Sequence, residues 1–193
     1  ECLSHAVHQE RKHRSRERVL AMDIGQADNA PALFLSLVRG LLIDAFYSAG
    51  MNFAALSPNA TEQLAKMLGP GSIVGNPLDA GFAAVVDPSV YMSSIQIMID
   101  DPDTDIVIID AELPKAPHEL RERNLRIVND MAGAASKPVV YISTMSIGFT
   151  EFTKGLRKSL PNIAVMQGLD RAVGAIKSLI DYAGLRKVVP DIV

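Results

Sequence analysis

The sequence predicts a three-layer α/β domain with a mainly parallel sheet of about five strands. From residue 31 onward, short and nearly continuous apolar runs alternate with longer amphipathic segments. Such runs are typical of strands that helices cover on both faces. Short loops rich in glycine and proline separate the segments, as in proteins built from successive strand–helix units. This alternation matches the doubly wound, flavodoxin-like arrangement.

The predicted elements can be taken in chain order. Strands are predicted at residues 33–38, 51–56, 105–110, 139–143 and 162–166, with residues 72–75 as a candidate for a further short strand. Helices are predicted at residues 41–49, 58–68, 88–99, 118–135, 150–160 and 169–182. Gly50 follows the first helix as a C-cap, and Pro58 and Pro88 open two others. Residues 105–110 form the clearest strand, because four β-branched residues stand between two aspartates.

A chain of 193 residues fits one domain with a full core. Residues 1–30 carry as many acidic as basic side chains, so they are predicted to form a charged N-terminal arm or linker. The α/β domain is assigned to residues 31–187, and residues 188–193 to a C-terminal tail. Cys2 and the three histidines of the arm (His5, His8 and His13) make a poor metal cage, so no metal site is expected there.

Composition narrows the setting in which the protein works. No apolar run reaches the ~18–20 residues of a membrane span, and residues 1–22 lack the apolar core of a signal peptide. A cytoplasmic location is therefore expected, with no membrane partner. The net charge of −3 and the absence of tryptophan do not fit the basic face and stacking platforms that nucleic-acid binding requires.

Ligands of doubly wound sheets bind beyond the carboxyl ends of the strands. Four loops are candidates on the predicted elements: residues 38–40, 75–81, 110–117 and 144–148. Arg39 beside helix amides suits a carboxylate or a phosphate, although a surface arginine beside a turn glycine is equally consistent. The glycine-rich residues 75–81 suit close approach by an anion, and the alternative is an ordinary tight turn.

The remaining candidates do not make a catalytic centre. Asp110 and Glu112 could hold Mg²⁺ or act as acid and base, or could simply be solvated. His118 is the sole histidine beyond the arm, and it falls in the first turn of a predicted helix. The sequence contains no nucleophile elbow, Walker loop or dinucleotide fingerprint. It therefore predicts an anion-binding domain that acts as part of a larger protein or complex.

Several sequence blocks resemble the second flavodoxin-like domain of NDP-forming acyl-CoA synthetases, relatives of succinyl-CoA synthetase. The blocks occur in the same order along the chain as in that family. The resemblance covers about residues 31–187, and GNPLD at residues 75–79 is its most specific block. The other blocks are GLLIDA at 40–45, LSP at 56–58, DDPDTD at 100–105, KPVV at 137–140 and DRAV at 170–173.

The resemblance implies a ligase that makes an acyl-CoA from a small carboxylic acid, CoA and ATP or GTP, through a phosphohistidine. The chain would help to bind that phosphohistidine and the acid. The implied phosphate-binding residues are Gly75, Asn76, Asp79, Gly81 and Phe82, and the implied acid-binding residues are Val38, Arg39 and Gly40. CoA, the nucleotide and Mg²⁺ would serve the complete enzyme, and this chain alone would bind no cofactor.

Three departures from the family pattern matter. The family has a glycine pair where this chain has Arg39 and Gly40, which puts carboxylate binding there in question. The phosphohistidine motif is absent, as are the CoA-binding and ATP-grasp domains. The isolated chain is therefore expected to be inactive and to associate with such domains or subunits, as a homodimer or a hetero-oligomer.

Two alternatives remain at the level of sequence. The chain could be a non-catalytic α/β module that binds a partner protein or a small anion, since its first loop departs from the family pattern. It could also be a true flavodoxin, which would need aromatic side chains at the strand ends to sandwich a flavin. The sequence has few aromatic residues, 5% in all, and almost none follow the predicted strands.

Overall fold

The fold was analysed in a computed structural model that describes residues 19–23, 32–144 and 148–188. The strands are β1 (Val19–Asp23), β2 (Leu78–Asp79), β3 (Ile106–Asp110), β4 (Val139–Ser143) and β5 (Ala164–Gln167). The helices are α1 (Ala32–Ser48), α2 (Pro58–Met67), α3 (Gly81–Val86), α4 (Pro88–Asp100), α5 (Glu119–Ala134), α6 (Glu151–Lys158) and α7 (Leu169–Val188).

The strands form one five-stranded sheet in the order β2-β1-β3-β4-β5, and every pair is parallel. This is the doubly wound order of flavodoxin-like domains. The predicted fold class is therefore confirmed. The order reverses between β1 and β3, so the ligand crevice of this topology lies at the carboxyl ends of these two strands.

Helices cover both faces of the sheet, and alternate strand residues serve the two sides. Val107 and Ile109 of β3 belong to a core cluster with α2 to α6, whereas Ile106 and Ile108 belong to a second cluster with α1 and α7. All four of these β3 side chains are buried. This double burial explains why the strand appears in the sequence as an uninterrupted apolar run.

The starts of α2, α4 and α6 are capped by side chains that can be recognised in the sequence. Ser57 caps α2 by accepting a hydrogen bond from the amide of Ala60 (3.2 Å), and Asp87 caps α4 through the amide of Ser89 (2.8 Å). Thr150 caps α6 through the amide of Thr153 (3.1 Å). Such caps satisfy amides that have no partner inside the helix. The predicted helix at residues 58–68 and the predicted helices and strands from residue 88 onward are confirmed, with shifts of a few residues at their ends and of six residues at the end of α7.

The first correction concerns the boundary at residue 31. Residues 19–23, assigned to the arm, form β1, which lies between β2 and β3 in the sheet. Met22 of this strand is fully buried. The strand was overlooked because only four apolar residues follow a charged stretch, yet a central parallel strand is covered on both faces and can be short. The folded domain therefore includes residues 19–23; the rest of the predicted arm, residues 1–18 and 24–30, lies outside the described residues.

The second correction concerns the first predicted strands. Residues 33–38 lie within the helix α1, which spans 17 residues. A short apolar run does not distinguish a buried strand from a buried helix, and Gly40 is tolerated inside a helix at a cost of about 1 kcal/mol. Residues 51–56 form only an isolated β-bridge at Phe53 and no strand, and residues 72–75 contribute a single antiparallel bridge from Ile73 to Asp79.

The predicted tail, residues 188–193, lies outside the described residues apart from the backbone of residue 188. Within the residues that the structure describes, no helix combines the length and the hydropathy that crossing a bilayer would require.

Candidate functional site

Three neighbouring strands end on aspartates at the same edge of the sheet. Asp23 of β1 is in register with Asp79 of β2 on one side and with Asp110 of β3 on the other. The carboxyl edge around the β1–β3 reversal is thus marked by acidic residues, which belong to three distant parts of the sequence. Sequence reasoning identified Asp79 and Asp110 separately but missed their common row, because it assigned Asp23 to the arm.

The glycine-rich segment before α3 folds back on itself around β2. Ile73 donates its amide to the carbonyl of Asp79 (2.8 Å), and Asp79 returns a hydrogen bond to Ile73 (3.1 Å). Ser72 closes the first turn through its hydroxyl to Gly69 O (2.8 Å). This loop is therefore held by its own backbone, and it presents α3 at the carboxyl end of β2.

Gly81 is required at the start of α3 for two reasons. Its φ is +69°, a backbone conformation that residues with a Cβ rarely adopt. A Cβ at this position would also lie 3.2 Å from the carbonyl oxygen of Gly71 and 3.3 Å from Ser72 N. The two turns of the loop thus approach each other so closely that a side chain at Gly81 would require them to move apart by a few tenths of an ångström.

The buried side chain of Asp79 stabilises the turn between β2 and α3. Its side chain is only 2% exposed, and Oδ1 accepts a hydrogen bond from the amide of Gly81 (3.0 Å). The N-cap residue of α3, Ala80, offers no side-chain acceptor. The next two amides, of Phe82 and Ala83, belong to the first helical turn and so have no intrahelical partner. Phe82 is 60% exposed, so this end of α3 faces solvent.

The other predicted phosphate-binding residues lie at the opposite end of β2. Gly75 and Asn76 precede the strand, whereas Gly81 and Phe82 follow it; β2 itself has two residues, roughly 7 Å of chain. The side-chain amide of Asn76 donates to the carbonyl of Ala54 at 2.6 Å. Gly75 and Asn76 of the predicted set therefore lie in the turn before β2, where the contact of Asn76 is structural. Gly81 and Phe82 lie at the carboxyl edge of the sheet.

The predicted acid-binding residues are not at a strand end. Val38, Arg39 and Gly40 lie in the middle of α1, so the predicted position of these residues in a loop is wrong. The chain after β1 is residues 24–31, which lie outside the described residues. Arg39 instead donates its Nε hydrogen to the carbonyl of Pro77 (2.8 Å). It braces the Asn76–Pro77 turn, whose peptide bond is cis.

Asp110, at the end of β3, organises the neighbouring loop. Its Oδ1 accepts hydrogen bonds from the hydroxyl (2.7 Å) and the amide (3.2 Å) of Thr144, and the residue is 3% exposed. Burial raises the pKa of Asp110 from 3.8 to about 6, despite the lowering effect of both hydrogen bonds from Thr144. Glu112 pairs instead with Arg121 (2.9 Å). The structure thus gives the two carboxylates different partners, and no group of three or more potential ligands among the described residues could hold a metal ion.

His118 acts at the start of α5. Its Nδ1 accepts a hydrogen bond from the amide of Arg121 (3.4 Å), while Glu122 accepts from the His118 amide (3.0 Å). This reciprocal arrangement is similar to a capping box, with the returning carboxylate one residue later than usual. The histidine therefore has a structural role, as the sequence suggested. The last candidate loop, residues 144–148, is described only at its two ends.

The raised pKa of Asp110 predicts that the stability of the domain depends on pH. The native state binds this proton more tightly than the unfolded chain, so the stabilisation is complete below pH 3.8 and is lost as the pH rises through about 6. Two pKa units correspond to about 3 kcal/mol as an upper value. Asp110→Asn keeps an acceptor for Thr144 without the charge. Urea unfolding from pH 4 to 7.5 should therefore show the wild-type protein losing stability relative to the variant as the pH rises, and parallel curves would contradict this account.

Fold and loop together define a flavodoxin-like domain with a glycine-rich turn at its carboxyl edge. Three solved structures share this fold over most of the chain. PH0766 from Pyrococcus horikoshii OT3 has a TM-score of 0.60 at 20% identity, with 86% of this chain and 35% of that chain covered. The dinucleotide forming acetyl-coenzyme A synthetase 1 of Ca. Korarchaeum cryptofilum, in its apo form, has a TM-score of 0.63 at 17% identity, with 93% and 36% covered.

The same synthetase in complex with phosphate and ADP has a TM-score of 0.62 at 18% identity, with 91% of this chain and 35% of that chain covered. The chain therefore spans about a third of the length of these proteins. At these identities the comparisons show the fold. No family model and no curated protein matches the sequence.

Proposed function

We propose that this chain is the second flavodoxin-like domain of an NDP-forming acyl-CoA synthetase. Such an enzyme makes an acyl-CoA, a nucleoside diphosphate and phosphate from a small carboxylic acid, CoA and ATP or GTP. The observation that carries the proposal is the GNPLD block, which forms the turn before β2 and β2 itself and continues through Ala80 into α3, on the sheet order of flavodoxin-like domains. The likeness of the fold to part of an acetyl-CoA synthetase supports it.

The chain would act together with CoA-binding and ATP-grasp domains, either in one polypeptide or as subunits. It spans about a third of the synthetase that it resembles. Among the described residues the one histidine, His118, serves as a helix cap rather than a phosphate carrier. The phosphohistidine would therefore come from another domain, as would the sites for CoA, the nucleotide and Mg²⁺. A homodimer or hetero-oligomer would follow from this division.

Within that enzyme, the start of α3 would bind the phosphoryl group carried by the partner's histidine. The amides of Phe82 and Ala83 receive no side-chain cap from Ala80, and Phe82 is an exposed residue at the carboxyl end of β2. The carboxylate of Asp79 is occupied by Gly81 and buried, so it orients the turn. One helix end contributes about 0.3–1 kcal/mol to an anion, which means that the partner must supply most of the binding energy.

The acid substrate would bind at the carboxyl ends of β1 and β3 and not at residues 38–40. The strand order reverses there, which is where this topology leaves a crevice. Arg39 would then support the site only indirectly, by holding the turn at Pro77.

Reconstitution tests the proposed function. We expect no thioester from the chain alone with acetate, ATP, Mg²⁺ and CoA. We expect acid- and ATP-dependent thioester when the CoA-binding and ATP-grasp domains encoded with it are added. Thioester formation by the isolated chain would contradict the proposal that other domains supply the phosphohistidine and the sites for CoA and the nucleotide. A mixture that is inactive with every acid of a broad panel would favour the alternative, a non-catalytic module that binds an anion or a partner.

Phosphate binding by α3 makes a second prediction. Titration with inorganic phosphate should shift the amide NMR signals of Phe82 and Ala83, with a dissociation constant roughly in the millimolar range. The signals of Gly75 and Asn76 should stay in place, because they lie before β2. Phe82→Asp should abolish the shifts, since its carboxylate occupies the helix end and repels the anion.

Phe82→Ala is the matched control, because it removes the same exposed ring without adding charge. It should retain the phosphate-dependent shifts. Equal shifts in the two variants, or shifts centred on Gly75, would contradict the assignment.

A further inference from the structure

A cleft lies at the far edge of the sheet from the candidate site, between α6 and β5. Its volume is about 610 Å³, within the range of ligand-binding clefts. One wall consists of residues of α6, namely the basic Lys154, Arg157 and Lys158 together with Gly155. The floor consists of the buried apolar residues Ile163 and Val165. None of them belongs to the site already described.

The cleft is positively charged on a protein that is negatively charged overall. Three cations and one carboxylate, Glu151, line it, whereas the whole chain has a net charge of −3. Glu151 pairs with Lys154 at 2.7 Å. The guanidinium of Arg157 lies 4.5 Å from the ring centroid of Phe149, which limits its motion. This wall of the cleft therefore attracts acidic groups.

The floor of the cleft is β5, the last strand of the sheet that the described residues form. Among the described residues, β5 pairs only with β4. Alternate residues of an edge strand turn their N–H and C=O groups away from the neighbouring strand, where they can pair with an added chain. Gly155 adds no side chain to the lining of the cleft, and a Cβ placed there would meet nothing within 4 Å.

We propose that this cleft binds an extended, acidic segment of a partner protein, which pairs with β5. Side chains of an added strand alternate between the two faces of the sheet. Val165 of β5 belongs to the same core cluster as α6, whereas the next residue, Met166, packs against the cluster on the opposite face of the sheet. Helix α6 therefore covers only one face of β5. Carboxylates at every second position of the segment would therefore meet Lys154, Arg157 and Lys158. The segment provides backbone hydrogen bonds for affinity and alternate charges for specificity.

The test measures fluorescence anisotropy of a labelled peptide of alternating glutamate and valine residues with the full chain. Lys154→Glu combined with Lys158→Glu should weaken binding by about tenfold or more. The matched control reverses two lysines outside the cleft, Lys66→Glu with Lys177→Glu, and should change the affinity by less than about twofold. Circular dichroism checks that both variants are folded.

Two further probes separate strand addition from simple charge attraction. A peptide with an N-methyl group on every amide cannot donate hydrogen bonds to β5 in either orientation, so its binding should be lost at unchanged charge. Equal binding of the methylated peptide would overturn the proposal, as would equal affinity of the two charge-reversed variants. Tighter, Lys154-dependent binding of a single-stranded oligonucleotide would identify a nucleic-acid surface instead and would also overturn it.

Discussion

Met22→Lys is expected to unfold most of the domain, whereas Met92→Lys should leave its stability nearly unchanged. Met22 lies on β1 with no solvent exposure, and Met92 on α4 is 45% exposed. Burying an ammonium group without a partner costs several kcal/mol, in addition to the lost methionine packing. That total is comparable to the roughly 5–15 kcal/mol by which most domains are stable.

Far-UV circular dichroism and urea unfolding measure the difference between the two variants. The comparison tests the central position of β1, since both substitutions add the same charge to the same residue type. If residues 19–23 belonged to a solvated arm, both variants would unfold at the wild-type urea concentration.

Gly81→Ala is expected to destabilise the domain by about 3 kcal/mol, of which roughly 1–2 kcal/mol is the cost of a left-handed backbone for alanine. The remainder comes from the new methyl group, which would lie 3.2 Å from the carbonyl oxygen of Gly71. Gly50→Ala is the control. Its φ is +74° but a Cβ there meets nothing within 4 Å, so it should show the backbone cost alone.

Urea unfolding of the two alanine variants separates these contributions. A loss at Gly81 that exceeds the loss at Gly50 by about 1 kcal/mol or more would support the close contact of the two turns. Equal losses would mean that the loop relaxes, and the turn leading into α3 would then be less rigid than the structure indicates.

The second half of the fold could be predicted because its signals are local. Ile106 to Ile109 lie between aspartates, and Pro88 and Thr150 mark helix starts by their own chemistry. These signals depend on propensity and capping, which act within a few residues. The strand and helix assignments there are confirmed to within a few residues at each end.

The strands predicted before residue 57 were wrong because the information that decides them is tertiary, whereas the helix predicted at residues 58–68 is confirmed. Residues 33–38 are almost uniformly apolar, so their periodicity does not distinguish a strand from a helix. Val19 to Met22 is too short to stand out from the charged residues before it, and only pairing with β2 and β3 identifies it as a strand. Misplacing β1 then moved the predicted acid site to Arg39, which the structure places within a helix.

The candidate site shows the same division. The glycine-rich turn was identified from residue types, because Gly81 and Asp79 have backbone roles that few other residues fulfil. The separation of Gly75 from Gly81 by β2 could not be predicted, since β2 has two residues and no strand pattern. The row formed by Asp23, Asp79 and Asp110 depends on strand register, which requires the whole sheet.

The most direct test measures thioester formation in the reconstituted mixture with Phe82→Asp and with Phe82→Ala. If the start of α3 binds the phosphoryl group, Phe82→Ala should support nearly the wild-type rate. Phe82→Asp should reduce it by at least tenfold, about 1.4 kcal/mol of transition-state stabilisation. Equal rates for the two variants would contradict the proposed role of α3 in the reaction.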